Sequence, residues 1–131
     1  MNYRSINDLN EDIKEFIYKL PEDLDLIVGV PRSGLLAGNL IALYLNLPFT
    51  DEEGLCEGRV SQGGVRSGDN FDFGTCRKVL VVDDSVLTGN SIRAVKSRIE
   101  SANLPYKIYY AAVYVTAESY KEVDFWLYAY D

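Results

Sequence analysis

Four apolar residues, Val79, Leu80, Val81 and Val82, run without interruption into two adjacent aspartates, Asp83 and Asp84, and then towards Thr88-Gly89-Asn90-Ser91. A continuous apolar run this short fits a strand buried on both faces, the kind that forms the middle of a parallel sheet. The carboxyl end of such a strand is where open α/β sheets hold ligands. Ionised carboxylates beside a core are costly unless solvated, paired or bound to a ligand, so two in a row point to work on hydroxyls or on a hydrated cation. Both are expected at an open edge rather than in packing, and because adjacent strand residues face opposite sides, their roles should differ. Beyond them, Gly89 permits a tight turn, and a helix predicted over residues 91–102, with Ile92, Val95 and Ile99 inward, begins with free N–H groups. Those donors, the hydroxyls of Ser85, Thr88 and Ser91 and the positive helix end can cradle a phosphate without a lysine. Acids for a polyol beside donors for a phosphate describe a sugar phosphate.

A second strand, loop and helix stand upstream. Leu24 to Val30 is nearly all apolar and is stopped by Pro31, and residues 35–47 return to helical spacing. Leu36, Leu40, Leu43 and Leu47 fall on one stripe of that helix, and small Ala37 and Gly38 permit close packing. Ahead of them, Ile6, Leu9, Ile13, Phe16, Ile17 and Leu20 predict an amphipathic helix over residues 7–20, ended by Pro21. A short strand is predicted near Phe49, another over residues 107–115 and a last one over residues 123–130. Strands alternating with helices give the fold class: α/β, three layers, a mostly parallel twisted sheet flanked by helices. Residues 52–76 show no sustained period and carry Gly54, Gly58, Gly63, Gly64, Gly68 and Gly74, so part of this segment is read as a long flexible lid loop. No repeat or linker interrupts residues 1–131, which are read as a single domain.

Composition removes several classes of function. The net charge is −7, which repels polyanions and argues against nucleic acid as a partner. There is no histidine, so Ser-His and Cys-His nucleophiles and most zinc catalysis are excluded. Cys56 and Cys76 lack Cys-x-x-Cys spacing and are read as reduced thiols. No stretch reaches the roughly 20 apolar residues of a spanning helix, and the amino terminus is unlike a signal peptide, so no membrane and a cytoplasmic location are expected.

The segment from Val79 to Ser91 resembles the phosphoribosyl-pyrophosphate motif of type I phosphoribosyltransferases. The resemblance implies that Asp83 and Asp84 hold the ribose 2′ and 3′ hydroxyls, while Val86, Leu87, Thr88, Gly89, Asn90 and Ser91 wrap the 5′-phosphate. Val28-Gly29-Val30-Pro31-Arg32-Ser33-Gly34 is similar to the family's pyrophosphate loop. Taken alone Pro-Arg-Ser-Gly is also an ordinary turn, but its place about fifty residues before the first motif, in the order strand, loop, helix, lid, strand, loop, helix, agrees with the family. There Gly34 allows close approach, Ser33 adds a hydroxyl and Arg32 supplies a cation for the leaving diphosphate. The resemblance covers about residues 24–115.

What the resemblance implies chemically is phosphoribosyl transfer from phosphoribosyl pyrophosphate to a nitrogenous acceptor such as a nucleobase, with release of pyrophosphate. Mg2+ near Asp83 and Asp84 is the implied cofactor, and a homodimer is typical of the family. Between Lys19 and Lys78 there is no lysine, so the lid cation is Arg59 or Arg66, and Arg66 within Gly63-Gly64-Val65-Arg66-Ser67-Gly68 is preferred. Leu87 stands where 6-oxopurine members carry an aspartate, which argues against hypoxanthine and guanine. Base choice in the family lies in a hood formed by the chain ends, here residues 1–20 and 117–131 with Phe125, Trp126, Tyr128 and Tyr130; with the chain ending at Asp131, this hood is expected to be incomplete. Aromatics in a terminal strand serve more often as core or interface. The alternative function is a regulator or sensor that binds phosphoribosyl pyrophosphate or a nucleotide without turnover. A phosphate-accepting signalling domain would need acids where Pro31-Arg32-Ser33 stands, and a dinucleotide fold would need Gly-x-Gly-x-x-Gly, which is missing.

Overall fold

The two apolar runs lie side by side at the middle of the molecule. The computed structural model describes residues 6–60 and 71–130. In chain order the elements are α1 (Ile6–Phe16), β1 (Leu26–Gly29), α2 (Ser33–Leu45), β2 (Phe49–Asp51), α3 (Glu52–Glu57), β3 (Lys78–Val86), α4 (Asn90–Ser101), β4 (Lys107–Thr116) and β5 (Phe125–Tyr130). The five strands are ordered β2-β1-β3-β4-β5, and every neighbouring pair is parallel.

Strand alternation divides the core into two layers. Ile27, Leu80, Val82, Ala111 and Val113 face α1 and α2, where they meet Ile13, Phe16 and Ile41. Leu26, Val28, Val79, Val81 and Ala112 face the other way, against Leu55 of α3 and Ile92, Val95 and Ile99 of α4. Both faces of β1 and β3 are therefore dry, and each such side chain contributes about 1.5–3 kcal/mol by leaving water. Parallel pairing places the carboxyl ends of all strands on one edge, with Gly29 level with Val82.

Four local details differ from the expectation. The α2 helix starts at Ser33, immediately after the Pro31 turn, and ends at Asn46, whose φ of 58° supplies the left-handed cap. Ala37 and Gly38 make the close packing expected of them, joined by Ile41 and Ala42, but the leucine stripe is split: Leu40 and Leu47 pack partly buried against the core, while Leu36 and Leu43 point outward, 42% and 60% exposed. Periodicity identified the helix, but small residues won the face against the sheet because they let the helix axis approach it. Strand β3 does not stop at the acids: it continues to Val86 because β4 runs beside it, pairing Asp83 with Ala112 and Val86 with Val115. Within residues 52–76, the segment expected to be structureless, Glu52–Glu57 forms α3, capped by the Asp51 carboxylate, which accepts from the Gly54 N–H at 2.7 Å. A 310 turn, Phe73–Thr75, precedes β3. The centre of the expected lid, residues 61–70, lies outside the described residues.

Among the described residues no helix is long and apolar enough to cross a membrane.

Candidate active site

Two loops emerge from adjacent strands at the carboxyl edge and touch. The Val30 N–H donates to the Val82 carbonyl at 2.9 Å, which keeps the chain after β1 against β3 up to the Pro31 turn. There the Pro31–Arg32 peptide is cis. From the first turn of α2, Ser33 donates its hydroxyl to Asp84 Oδ1 at 2.6 Å. Gly34 lies so close to β3 that a Cβ there would sit 2.7 Å from the Val82 carbonyl oxygen and 3.0 Å from Asp83 Cα. Glycine is required at this position by contact with backbone, and the contact brings the predicted diphosphate loop onto the predicted ribose acids.

The two acids differ, as alternation demands. Asp84 is half-buried and faces the Ser33 hydroxyl. Asp83 is only 8% exposed and accepts the Asp84 N–H at 2.8 Å. Burial, reinforced by the neighbouring Asp84 charge, pushes the Asp83 carboxyl up to about 7, against two backbone N–H donors that favour its ionised form. The expectation that both acids sit at an open edge rather than in packing is thus corrected for Asp83, which is packed against Gly34 of α2, while Asp84 is half-buried with its carboxylate engaged by Ser33. A carboxyl poised in this way is ready to accept hydrogen bonds from hydroxyls and ill at ease as a bare charge.

Past the acids, Ser85 is half-buried, Val86 is buried, and Leu87 is exposed at 46%. Thr88, Asn90 and Ser91 are exposed around buried Gly89, whose φ of 90° makes the left-handed turn into α4. The Thr88 hydroxyl accepts the Asn90 N–H at 3.3 Å, a long bond, and no side chain caps the helix. First-turn N–H groups of α4 are thereby left facing the loop, the arrangement that binds anions. Arg32 is exposed at the other loop, and no ion pair engages it among the described residues.

Other predicted participants are engaged in other contacts or lie outside the described residues. Arg66 lies outside the described residues, as does the glycine-rich run around it. Arg59 is engaged by acids, at 2.9 Å from Glu57 and 3.6 Å from Glu53. The terminal aromatics serve packing: Phe125 and Tyr130 join the α1/α2 layer, Trp126 joins the opposite one, and Tyr128 stacks on Tyr114 at 6.2 Å between ring centroids.

The sequence reading missed four residues that hold the loop between β3 and α4 from behind. Thr116 donates to the Leu87 carbonyl at 2.7 Å, and fully buried Ser119 donates to the Val86 carbonyl. Arg93 reaches Glu122 at 2.9 Å and also Asn90. A buried serine just past a strand end is the single signal that could have drawn attention to them.

The architecture agrees with known proteins. The model of the phosphoribosyl transferase domain matches residues 2–131. The xanthine-guanine phosphoribosyltransferase of Chromohalobacter salexigens is 31% identical over 125 residues, 94% of this chain and 73% of that protein. An adenine phosphoribosyltransferase of Mesomycoplasma hyopneumoniae is 26% identical over 122 residues, 78% of this chain and 69% of that protein. Among solved structures, the Helicobacter pylori xanthine-guanine-hypoxanthine phosphoribosyltransferase aligns with a TM-score of 0.71 at 18% identity, covering 95% of this chain and 84% of its own. A purine phosphoribosyltransferase from Pyrococcus horikoshii aligns with a TM-score of 0.70 at 18% identity, over 98% and 87% of the two chains. These two structures bear on fold alone, while the sequence matches bear on descent: the chain belongs to the phosphoribosyl transferase domain family, has its type I fold, and is an enzyme of phosphoribosyl transfer.

Proposed function

We propose that this chain transfers the phosphoribosyl group of phosphoribosyl pyrophosphate to a ring nitrogen of a nucleobase. The observation that carries the reading is the 2.6 Å bond from Ser33 to Asp84, which joins the diphosphate loop to the ribose acids in one site. In the reaction the acceptor's nitrogen lone pair forms the new bond to the anomeric carbon. The bond from that carbon to the diphosphate oxygen breaks with its electron pair, and the acceptor's proton passes to solvent. The transition state is oxocarbenium-like, so positioning, neutralisation of the leaving group and exclusion of water carry the catalysis.

Asp83 and Asp84 accept the ribose 2′ and 3′ hydroxyls and fix the ring. Thr88, Gly89, Asn90 and Ser91, with the α4 N-terminus, hold the 5′-phosphate, and Ser85, Val86 and Leu87 shape the approach to it. Arg32, Ser33 and Gly34 receive the diphosphate, with the Arg32 guanidinium offsetting charge as the bond breaks. We assign Arg66, on the lid, to closing over the diphosphate, and residues 1–20 and 117–131 to the hood side of a single domain.

The donor set fits magnesium: two adjacent carboxylates offer oxygen only, and a cation beside them would offset the burial and, after it, the Asp84 repulsion that together raise the Asp83 carboxyl to about 7. Among the described residues no group of three or more His, Cys, Asp or Glu gathers, so a cation here would complete its shell from water and substrate oxygens, as magnesium does. When bound, it would supply neutralisation of the diphosphate.

For the acceptor, purines are supported by the xanthine-guanine and adenine enzymes among the relatives. A net charge of −7 disfavours nucleic acid, and the two free cysteines fit a reducing cytoplasm. The exposed stripe of Leu36, Leu43 and Tyr44, on a helix without a charged residue, suits a second copy of the chain, since no charge would oppose itself across a two-fold axis. The test of the reaction is a panel of purine and pyrimidine bases with phosphoribosyl pyrophosphate and magnesium, followed by chromatography for the nucleoside monophosphate. One base converted with stoichiometric pyrophosphate supports the reading, and no nucleotide from any base contradicts it.

A further inference from the structure

The connection from the end of β4 to β5 touches the phosphate loop at three points. Thr116 Oγ1 donates to the Leu87 carbonyl at 2.7 Å, and Ser119 Oγ donates to the Val86 carbonyl. Glu122, in the 310 turn Tyr120–Glu122, accepts from Arg93 Nη1 at 2.9 Å. The segment is itself rigid: the Thr116 N–H donates to Ser119 Oγ at 3.0 Å, the Ser119 N–H donates to Thr116 Oγ1 at 3.1 Å, and the Glu122 N–H donates to the Ser119 carbonyl at 2.9 Å. Its serine is fully buried, so that hydroxyl works only on the protein.

The third contact closes directly over the glycine on which the loop turns. A Cβ placed on Gly89 would meet Glu122 Cγ at 2.8 Å and Arg93 Nη1 at 2.9 Å. Arg93 also donates to the Asn90 side chain, so one guanidinium spans the first turn of α4 and the β4–β5 connection. Two of the loop's carbonyls are thus pulled back towards the connection, while the first-turn N–H groups stay directed at the loop.

We propose that Thr116, Ser119 and the Glu122–Arg93 pair form a brace that sets the phosphate loop in its anion-binding conformation, with Glu122 and Arg93 as positioning residues for the sugar phosphate. This rests on the assignment of Thr88–Ser91 as the phosphate cradle. A negative side chain beside an anion subsite needs such an explanation, because Coulomb repulsion by itself makes Glu122 a liability there. Holding a cation in one orientation over Gly89 is the function that offsets it, and preorganised donors gain affinity by losing less freedom on binding.

The sign of one substitution separates the brace from simple electrostatics. Glu122→Ala removes a negative charge near the phosphate, so the field alone predicts tighter binding of ribose 5-phosphate. The brace predicts weaker binding, by about three- to tenfold, the effect of roughly one positioning hydrogen bond. Glu122→Gln keeps an acceptor and the contact with Gly89 and should recover most of the affinity. Titration calorimetry with ribose 5-phosphate, on wild type and both variants, reads this, with pyrophosphate as the ligand of the Arg32–Gly34 loop. Weaker ribose 5-phosphate binding by Glu122→Ala, recovery by Glu122→Gln and unchanged pyrophosphate binding are the expected result. Equal or tighter ribose 5-phosphate binding by Glu122→Ala, or an equal loss for both ligands, overturns the brace. Absence of ribose 5-phosphate binding by the wild type overturns the cradle assignment, and the brace with it.

Discussion

Replacing Gly34 by alanine tests the contact on which the whole site is built. The added methyl would lie 2.7 Å from the Val82 carbonyl oxygen, about 0.7 Å inside the 3.4 Å at which ordinary contact begins, and 3.0 Å from Asp83 Cα. Both are backbone atoms of the central strand, so relief must come from α2 moving away from β3. Overpacking against such a surface costs about 2–3 kcal/mol, the upper part of the usual range. Alanine's advantage over glycine within a helix, roughly 1 kcal/mol, offsets part of it and leaves a net loss of about 1–2 kcal/mol. With an unfolding entropy of about 2.1 cal/mol/K per residue, this lowers the melting midpoint of a chain of 131 residues by about 4–7 °C. Affinity for phosphoribosyl pyrophosphate should fall further than stability does, because the same movement withdraws Ser33 from Asp84. Differential scanning calorimetry and ligand titration measure the two effects. A midpoint within 1 °C of wild type (~0.3 kcal/mol) together with unchanged affinity would refute the close approach of the two loops.

Other perturbations follow from the same geometry. Asp83→Asn should stabilise the magnesium-free protein at pH 8 by up to about 4 kcal/mol while abolishing sugar-phosphate binding, an upper figure set by the rise from 3.8 to about 7. The sign is that of an acid raised in the folded state: its contribution is favourable below the unfolded value near 4, and is lost as pH climbs to about 7, so the gap between variant and wild type should close at pH 4 and be full at pH 8. Melting in EDTA across that range reads it, and a gap independent of pH contradicts the burial of Asp83. Ser33→Ala should weaken phosphoribosyl pyrophosphate binding about three- to tenfold, with a small change in midpoint, by loss of one hydrogen bond. Leu87→Asp, which supplies a carboxylate where 6-oxopurine members carry one, should raise turnover of xanthine, guanine or hypoxanthine relative to adenine by up to about 100-fold if proton transfer limits it. An unchanged ratio removes Leu87 from base selection. Burial raises the Cys76 thiol to about 11, so iodoacetamide at pH 8 should label exposed Cys56 and spare Cys76 until urea is added.

The parts of this molecule that could be read from sequence are those whose physics is local. Leu26–Gly29 and Val79–Val82 are apolar throughout because both faces are covered, and Ile92, Val95 and Ile99 keep the spacing of one helix face. The acids and the glycine turn sit next to each other in the chain, so the candidate site was legible within thirteen residues, Val79 to Ser91. What escaped depends on distance in sequence. Ser33 and Asp84 are 51 residues apart, Ser119 and Val86 are 33 apart, and neither pairing leaves a periodic trace. Leu36 and Leu43, the outward half of the leucine stripe, misled because hydrophobicity marks a face without saying which partner covers it, whereas Ala37, Gly38 and Ala42 mark how closely the helix approaches the sheet. Burial of Asp83 likewise followed from α2 pressing Gly34 onto β3, which no single segment encodes.

Calorimetric titration of phosphoribosyl pyrophosphate into the protein, with and without magnesium, tests the central claim most directly. Saturable binding that strengthens with magnesium, and that disappears in the folded Asp83→Asn/Asp84→Asn double variant, is the predicted result. No binding by the wild type, or undiminished binding by the double variant, would contradict the assignment of the site.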